Sequence, residues 1–325
     1  SYQYELDIQY PFAHVSPGFN GSQKINIIPA WWFMYDMFAI TRNNDKFIKR
    51  DKRKKKIQII ETDPLACDTM QEIMQALDRI INLTRDYLIK IDSDYMNDAD
   101  TPQKEYQAVK DFLHQNSEAD FTLDDNLCQK KYGAVIFKPV QAYKMYRKIV
   151  KYFSVRTLVQ FCKNLNCDSL SKDLLFRIRK LSLFTEWENV GGQIIPCEKR
   201  KELFSSIKEG QIDSWDKVHE FYKYCSSAYD EYKVRYALYL LEELYSRPIE
   251  EFSVDLFRHI TDDVSIVAYD IYNASLKSRE KDYTDYYRNK TYQNSDEMKK
   301  VVGPVEDNSF LRKLKSDTNE FINAL

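Results

Sequence analysis

From Pro139 to Leu165 the chain carries large apolar side chains every three or four residues and no glycine at all. Tyr143, Tyr146, Ile149, Val150, Phe153, Leu158, Phe161 and Leu165 fall on one broad face, which predicts a helix of about 25 residues with a proline in its first turn. Breakers are scarce throughout, with seven glycines and nine prolines in 325 residues. That leaves room for long uninterrupted elements and favours helices over a strand-rich sandwich. A chain of this length buries roughly 75% of its unfolded surface, so a core needs no covalent staples.

Other segments repeat the pattern. After Pro29, Trp31, Trp32, Met34, Tyr35, Phe38 and Ile40 predict a helix running on past Phe47 and Ile48. Thr69 and Glu72, three apart, form a capping-box signature ahead of Ile73, Met74, Leu77, Ile80, Ile81 and Leu88. Residues 170–183 predict another helix. Asp213-Ser214 caps a long one through Val218, Cys225, Tyr232, Tyr236 and Leu244, stopped by Pro248. Residues 252–276 predict a helix interrupted near Asp262-Asp263. Asn294 caps a short helix, and Asn308 or Ser309 opens the last. Ala134–Phe137 reads as a short apolar link. Residues 1–28 differ, with turn chemistry at Tyr10-Pro11-Phe12, Ser16-Pro17-Gly18 and Asn20-Gly21, then a brief strand-like alternation over 24–28. The expectation is a mainly α, bundle-like array of helices with a short β/loop lead-in. Residues 1–28 form a junction and 29–325 a helical domain, with a sub-boundary near 128–139.

The net charge is −2, which gives no overall pull towards nucleic acid or an anionic membrane. No stretch approaches the ~20 apolar residues of a transmembrane helix. The start, Ser1-Tyr2-Gln3-Tyr4-Glu5, lacks the basic and apolar parts of a signal peptide, so a cytoplasmic location is expected. The first residue is not Met, which points to a longer parent protein. Six cysteines, far apart, read as small buried hydrophobes in a reducing compartment.

Charge is unevenly spread. Residues 42–56 hold nine bases and two acids, a local charge of +7. Arg42, Lys49, Arg50 and Arg53 are the candidates for gripping phosphate oxygens. The plainer reading is a solvated helix face running into a loop. Extended nucleic-acid binding is disfavoured by the net charge and by the lack of a stacking motif. Segment 92–126, with ten acids and two bases, reads as a surface excursion. Asp92, Asp94, Asp98 and Asp100 roughly follow calcium-loop spacing, but Met96 stands at a ligand position and Asn97 at the required glycine. The four histidines are isolated, and there is no HExxH, Cys/His cluster, P-loop or GxSxG. No catalytic residue, metal site or cofactor is assigned.

Trp31 and Trp32 are adjacent, so at 100° per residue both cannot point inwards. With Tyr35 they are expected at an interface or as a stacking surface. Trp187, between Glu186 and Glu188, and Arg288, in a polar C-terminal stretch with Glu306, complete the candidates. The tyrosines along 222–245 read chiefly as packing.

Pro29-Ala30-Trp31-Trp32-Phe33-Met34-Tyr35-Asp36-Met37-Phe38-Ala39, with Arg42-Asn43, Lys49–Arg53 and the C-terminal Glu297-Met298, Gly303 and Glu306–Phe310, resembles the C-terminal half of an uncharacterised bacterial family. Its members carry an N-terminal left-handed β-helix of hexapeptide repeats, related to sugar nucleotidyltransferases and acyltransferases. The resemblance implies a β-helix domain preceding this chain as its partner, and no catalytic residues. The leading expectation is a non-catalytic helical accessory module packing in cis on that domain, with a second copy of the chain as another partner. The alternatives are part of an enzyme binding a phosphorylated sugar or sugar nucleotide, and nucleic-acid binding through 42–56.

Overall fold

A computed structural model of the chain describes residues 5–56, 58–92, 101–116, 120–128, 131–167 and 169–325. In chain order the elements are β1 (His14–Pro17), β2 (Ile25–Ile28), α1 (Trp31–Tyr35), α2 (Met37–Arg50), α3 (Cys67–Ile91), α4 (Pro102–Gln115), β3 (Thr122–Asp125), β4 (Ala134–Phe137), α5 (Pro139–Asn164), α6 (Lys172–Arg179), β5 (Trp187–Val190), β6 (Gln193–Pro196), α7 (Cys197–Lys208), α8 (Trp215–Tyr245), α9 (Val254–Thr284), α10 (Tyr286–Asn289), α11 (Ser295–Val302) and α12 (Ser309–Ile322). The fold is mainly α, as expected, with two small sheets.

Several boundaries differ from expectation for identifiable reasons. The helix after Pro29 is broken at Asp36, whose extended φ of −147° separates α1 from α2. Helix α3 begins two residues before Thr69, so the Asp68 carboxylate, not a Thr69 cap, accepts the Thr69 N–H at 2.8 Å. Helix α9 runs straight through Asp262-Asp263. Asp263 points inward and pairs with Lys151, so an acid that reads as a break is a buried partner. Residues 134–137 are a strand, because a partner lies on each side.

The chain divides into two compact units. The first comprises Ser1–Tyr35 and Asp68–Val150, the second Asp36–Cys67 and Lys151–Leu325. The first unit holds a four-stranded sheet of order β1-β2-β4-β3. β1 and β3 run antiparallel to their neighbours, and β2 runs parallel to β4, pairing Ile25 with Ala134 and Ile27 with Ile136. Ile27, Leu123 and Ile136 from the sheet are buried, as are Met70, Ile73 and Ile80 of α3, Val109 and Leu113 of α4, and Tyr143, Tyr146 and Ile149 of α5. Each such side chain contributes roughly 1.5–3 kcal/mol by leaving water. The segment before β1 is fastened by polar contacts. The buried Asp125 carboxylate accepts from Tyr10 Oη at 2.6 Å and pairs with Arg79, which also donates to Gln9 Oε1 at 2.8 Å.

In the second unit α2 packs on α9, α9 packs on α12, and α6 and α7 pack on α8. A buried cluster includes Leu158 and Cys162 of α5, Leu174 and Ile178 of α6, Val234, Leu238 and Leu241 of α8, and Ile260 and Val264 of α9. The β5–β6 hairpin turns at Gly191-Gly192, both at positive φ. At Gly192 a Cβ would come within 3.0 Å of the Ile60 side chain. The linking segment 58–63 thus lies against the hairpin, and Glu61 N–H donates to Gly192 O at 2.8 Å.

Candidate functional site

The first unit places a cluster of aromatic and basic side chains at one edge of its sheet. β2 and β4 are parallel, so both end at that edge, and β1 begins there with His14 opposite Ile28. Each parallel strand leaves through a left-handed residue beside a proline: Pro29-Ala30, with Ala30 at φ +55°, and Lys138-Pro139, with Lys138 at φ +54°. Neither is glycine, and this conformation costs roughly 1–2 kcal/mol per residue. Surrounding bonds hold it. Ala30 N–H donates to Tyr146 Oη at 3.2 Å, and Ala30 O accepts from Phe33 and Met34 at 3.0 and 3.1 Å. Tyr146 Oη donates onward to Pro11 O at 2.6 Å. Burial pushes the Tyr146 phenol well above its ordinary pKa, so it stays a donor. Trp32 N–H donates to Phe12 O, and the buried Phe33 ring meets Phe12 edge-on at 4.9 Å, forming a floor.

On that floor the Trp31 ring lies 5.3 Å from His14, 5.4 Å from Trp32 and 5.8 Å from Tyr35. Trp32 stands almost perpendicular to it, at 86°. Lys138 donates from Nζ to Tyr35 Oη at 2.7 Å and sits 5.2 Å from the Tyr35 ring centre. The tryptophans are half-buried, while His14, Tyr35 and Lys138 are exposed. Among the described residues no carboxylate bonds to His14 or Lys138. The patch therefore offers flat π-faces and a wall at right angles, with an ammonium and an imidazole at the rim. Such a set can stack a ring and hold an oxyanion beside it.

The expected group Trp31, Trp32 and Tyr35 is thus brought together. His14 and Lys138 were missed. A lone histidine carries no sequence signal, and Lys138 could be found only by recognising 134–137 as a strand ending at Pro139. The other candidates lie in the second unit. Arg42 lies over the Phe38 ring at 5.2 Å, Lys49 pairs with Asp45 at 2.8 Å, and Arg53 grips Asp51 with two bonds of 2.9 Å. Arg50 is exposed at the end of α2. Residues 42–56 are solvent-facing charges, partly spent on their own two acids. Trp187 is 3% exposed and packs against Tyr229 and Tyr236 at 6.2 and 5.6 Å, which makes it core. Arg288 lies in the short helix α10, where its N–H is capped by Asp285 Oδ1 at 2.6 Å. Asp94, Asp98, Asp100 and the Glu306 side chain lie outside the described residues.

A family model described as "Domain of unknown function (DUF6819)" matches residues 175–323, from within α6 to the end of α12. The matched stretch excludes the aromatic patch. A protein of Treponema pallidum (strain Nichols) described as "Uncharacterized protein" is 27% identical over 327 residues. The match covers 98% of this chain and 42% of that protein, so the chain spans less than half the length of the relative. No solved structure matches. These findings correct the resemblance drawn from the Trp31-Trp32 and C-terminal motifs. The matching model is of a domain of unknown function, the relative's description names no fold, and neither brings a hexapeptide β-helix.

Proposed function

We propose that this chain is a helical binding module whose recognition surface is the Trp31, Trp32 and Tyr35 platform. Its ligand is a sugar ring carrying phosphate, free or as a sugar nucleotide. The observation that carries this reading is the convergence of three aromatic rings with Lys138 and His14 at the carboxyl ends of β2 and β4. Crevices outside the carboxyl ends of parallel strands are a recurrent ligand position, because strand-to-helix turns meet there. A sugar or base face stacks on indole, and the ammonium meets the phosphate. The His14 ring stands beside the same contact and can donate a further hydrogen bond to it. A role as a protein-docking surface would use the same tryptophans; the phosphate reading is preferred because Lys138 and His14 stand together beside the rings.

The test is quenching of tryptophan fluorescence by UDP-glucose and by a hexose monophosphate. Saturable quenching is expected. Lys138→Ala should weaken binding about five- to tenfold, as suits an exposed charge-assisted bond. Trp31→Ala should abolish it with an unchanged far-ultraviolet circular dichroism spectrum. No quenching by either ligand at millimolar concentration, or quenching indifferent to Lys138→Ala, refutes the proposal.

A further inference from the structure

The second unit contains a separate cavity of about 310 Å³ between α5, α8 and the linking segment 58–63. That is the small end of the range for small-molecule sites, roughly 300–1,000 Å³, and suits a compact metabolite. Its frame is fixed. Arg156 of α5 donates to Asp63 Oδ2 at 2.5 Å, and Asp63 Oδ1 accepts the Leu65 N–H at 2.9 Å. Glu61 receives the Thr62 and Asp63 N–H groups at 2.9 Å and the Tyr229 hydroxyl at 3.0 Å. These groups hold the wall.

Other lining groups are held less tightly. Lys233 has a side chain only 17% exposed, yet its ammonium reaches no acceptor within hydrogen-bonding distance among the described residues. It forms a long ion pair with Glu61 at 4.0 Å, and the rings of Phe153 and Tyr229 flank it at 5.6 Å. Asp230, one turn earlier on α8, also lines the cavity. Asp and Lys three apart on a helix ordinarily meet. Here they do not, and Asp230 has no partner among the described residues. One wall therefore presents an ammonium and a carboxylate side by side, neither hydrogen-bonded to the other. Gln160 Nε2, also at the cavity, donates to Asn164 Oδ1 at 2.8 Å. The four charged lining residues, Asp63, Arg156, Asp230 and Lys233, sum to zero. A neutral balance does not favour a dianion such as a phosphate ester. It favours a molecule carrying one charge of each sign.

We infer that this cavity binds a free α-amino acid, with its carboxylate on Lys233 and its ammonium on Asp230. The site is independent of the aromatic platform and stands whether or not that surface binds a sugar phosphate. The experiment is isothermal calorimetry of the whole chain with each proteinogenic amino acid at millimolar concentration, repeated with the N-acetyl form of the best binder and with free glucose. Saturable binding of at least one amino acid is expected. N-acetylation and Asp230→Asn should each weaken it roughly tenfold or more, since each removes one partner of a charge-assisted bond. Lys233→Met should do the same. Asp230 is exposed, so its variant folds even if the Lys233 one does not. No heat with any amino acid overturns the inference. So does binding unchanged by N-acetylation and by Asp230→Asn, or binding of glucose alone.

Discussion

The Tyr146 hydroxyl joins the two segments that carry the aromatic platform, and Tyr146→Phe removes that joint while leaving the ring in place. Two partners lose their bond. The Ala30 N–H, in a residue with no exposed surface, is left with no acceptor. The Pro11 carbonyl is only partly covered and regains water. An unsatisfied buried group costs about 1–3 kcal/mol and a partly solvated one less, so the sum is about 2–3 kcal/mol. At roughly 3–6 °C per kcal/mol for a unit of this size, the transition of the first unit should fall by about 6–18 °C. The change should also be local. Ala30 and Trp32 enter the platform from this point, so their amides should exchange with solvent faster, and tryptophan emission should shift to the red. Calorimetry and hydrogen exchange by mass spectrometry read both effects. An unchanged melting profile with an equally protected Ala30 amide would refute the view that Tyr146 holds the platform.

Two further outcomes follow from backbone and thiol environments. Ser246 ends α8 in the left-handed conformation, φ 52° and ψ 37°, on an exposed surface, so Ser246→Gly should stabilise the chain by about 0.5–1 kcal/mol; a lower urea midpoint would contradict this. Burial pushes the Cys128 and Cys225 thiols up to about 11. In the unfolded chain they ionise near 9, so the folded state retains protons that the unfolded state releases. Stability from these groups is whole below pH 9 and is lost as pH rises towards 11. Urea midpoints measured across that window should fall, and a midpoint that rises would show the thiols are not buried as described.

Much of the helical framework was legible because its signals are local. Asn294 does cap α11 and Asn308 does cap α12, each accepting two N–H groups. Ser214 caps α8 as its position after Asp213 suggests. The α5 pattern gave both its start at Pro139 and its length. What was missed depends on distant residues. Four apolar residues at 134–137 fit a strand, a link or a helix turn equally well, and only pairing with β2 and β3 decides. The same holds for Asp263, whose partner Lys151 lies 112 residues away.

The candidate sites show the same division. The run at 42–56 stands out in the sequence because like charges are dense there, but an exposed charge already solvated by water loses little by standing alone. A charge under cover without a partner is a different matter, since desolvation is offset only by a bond. Asp125, Asp63 and Asp263 all lie at least partly under cover and all have partners, so they hold structure. Lys233 lies under similar cover, but its ion pair with Glu61 is long, at 4.0 Å, and no hydrogen bond among the described residues completes it. No spacing rule in the sequence separates it from the other lysines of α8. Its position is informative only once Glu61, Tyr229 and Phe153 are seen around it, and the amino-acid proposal rests on this loosely paired ammonium, not on the density of charge at 42–56.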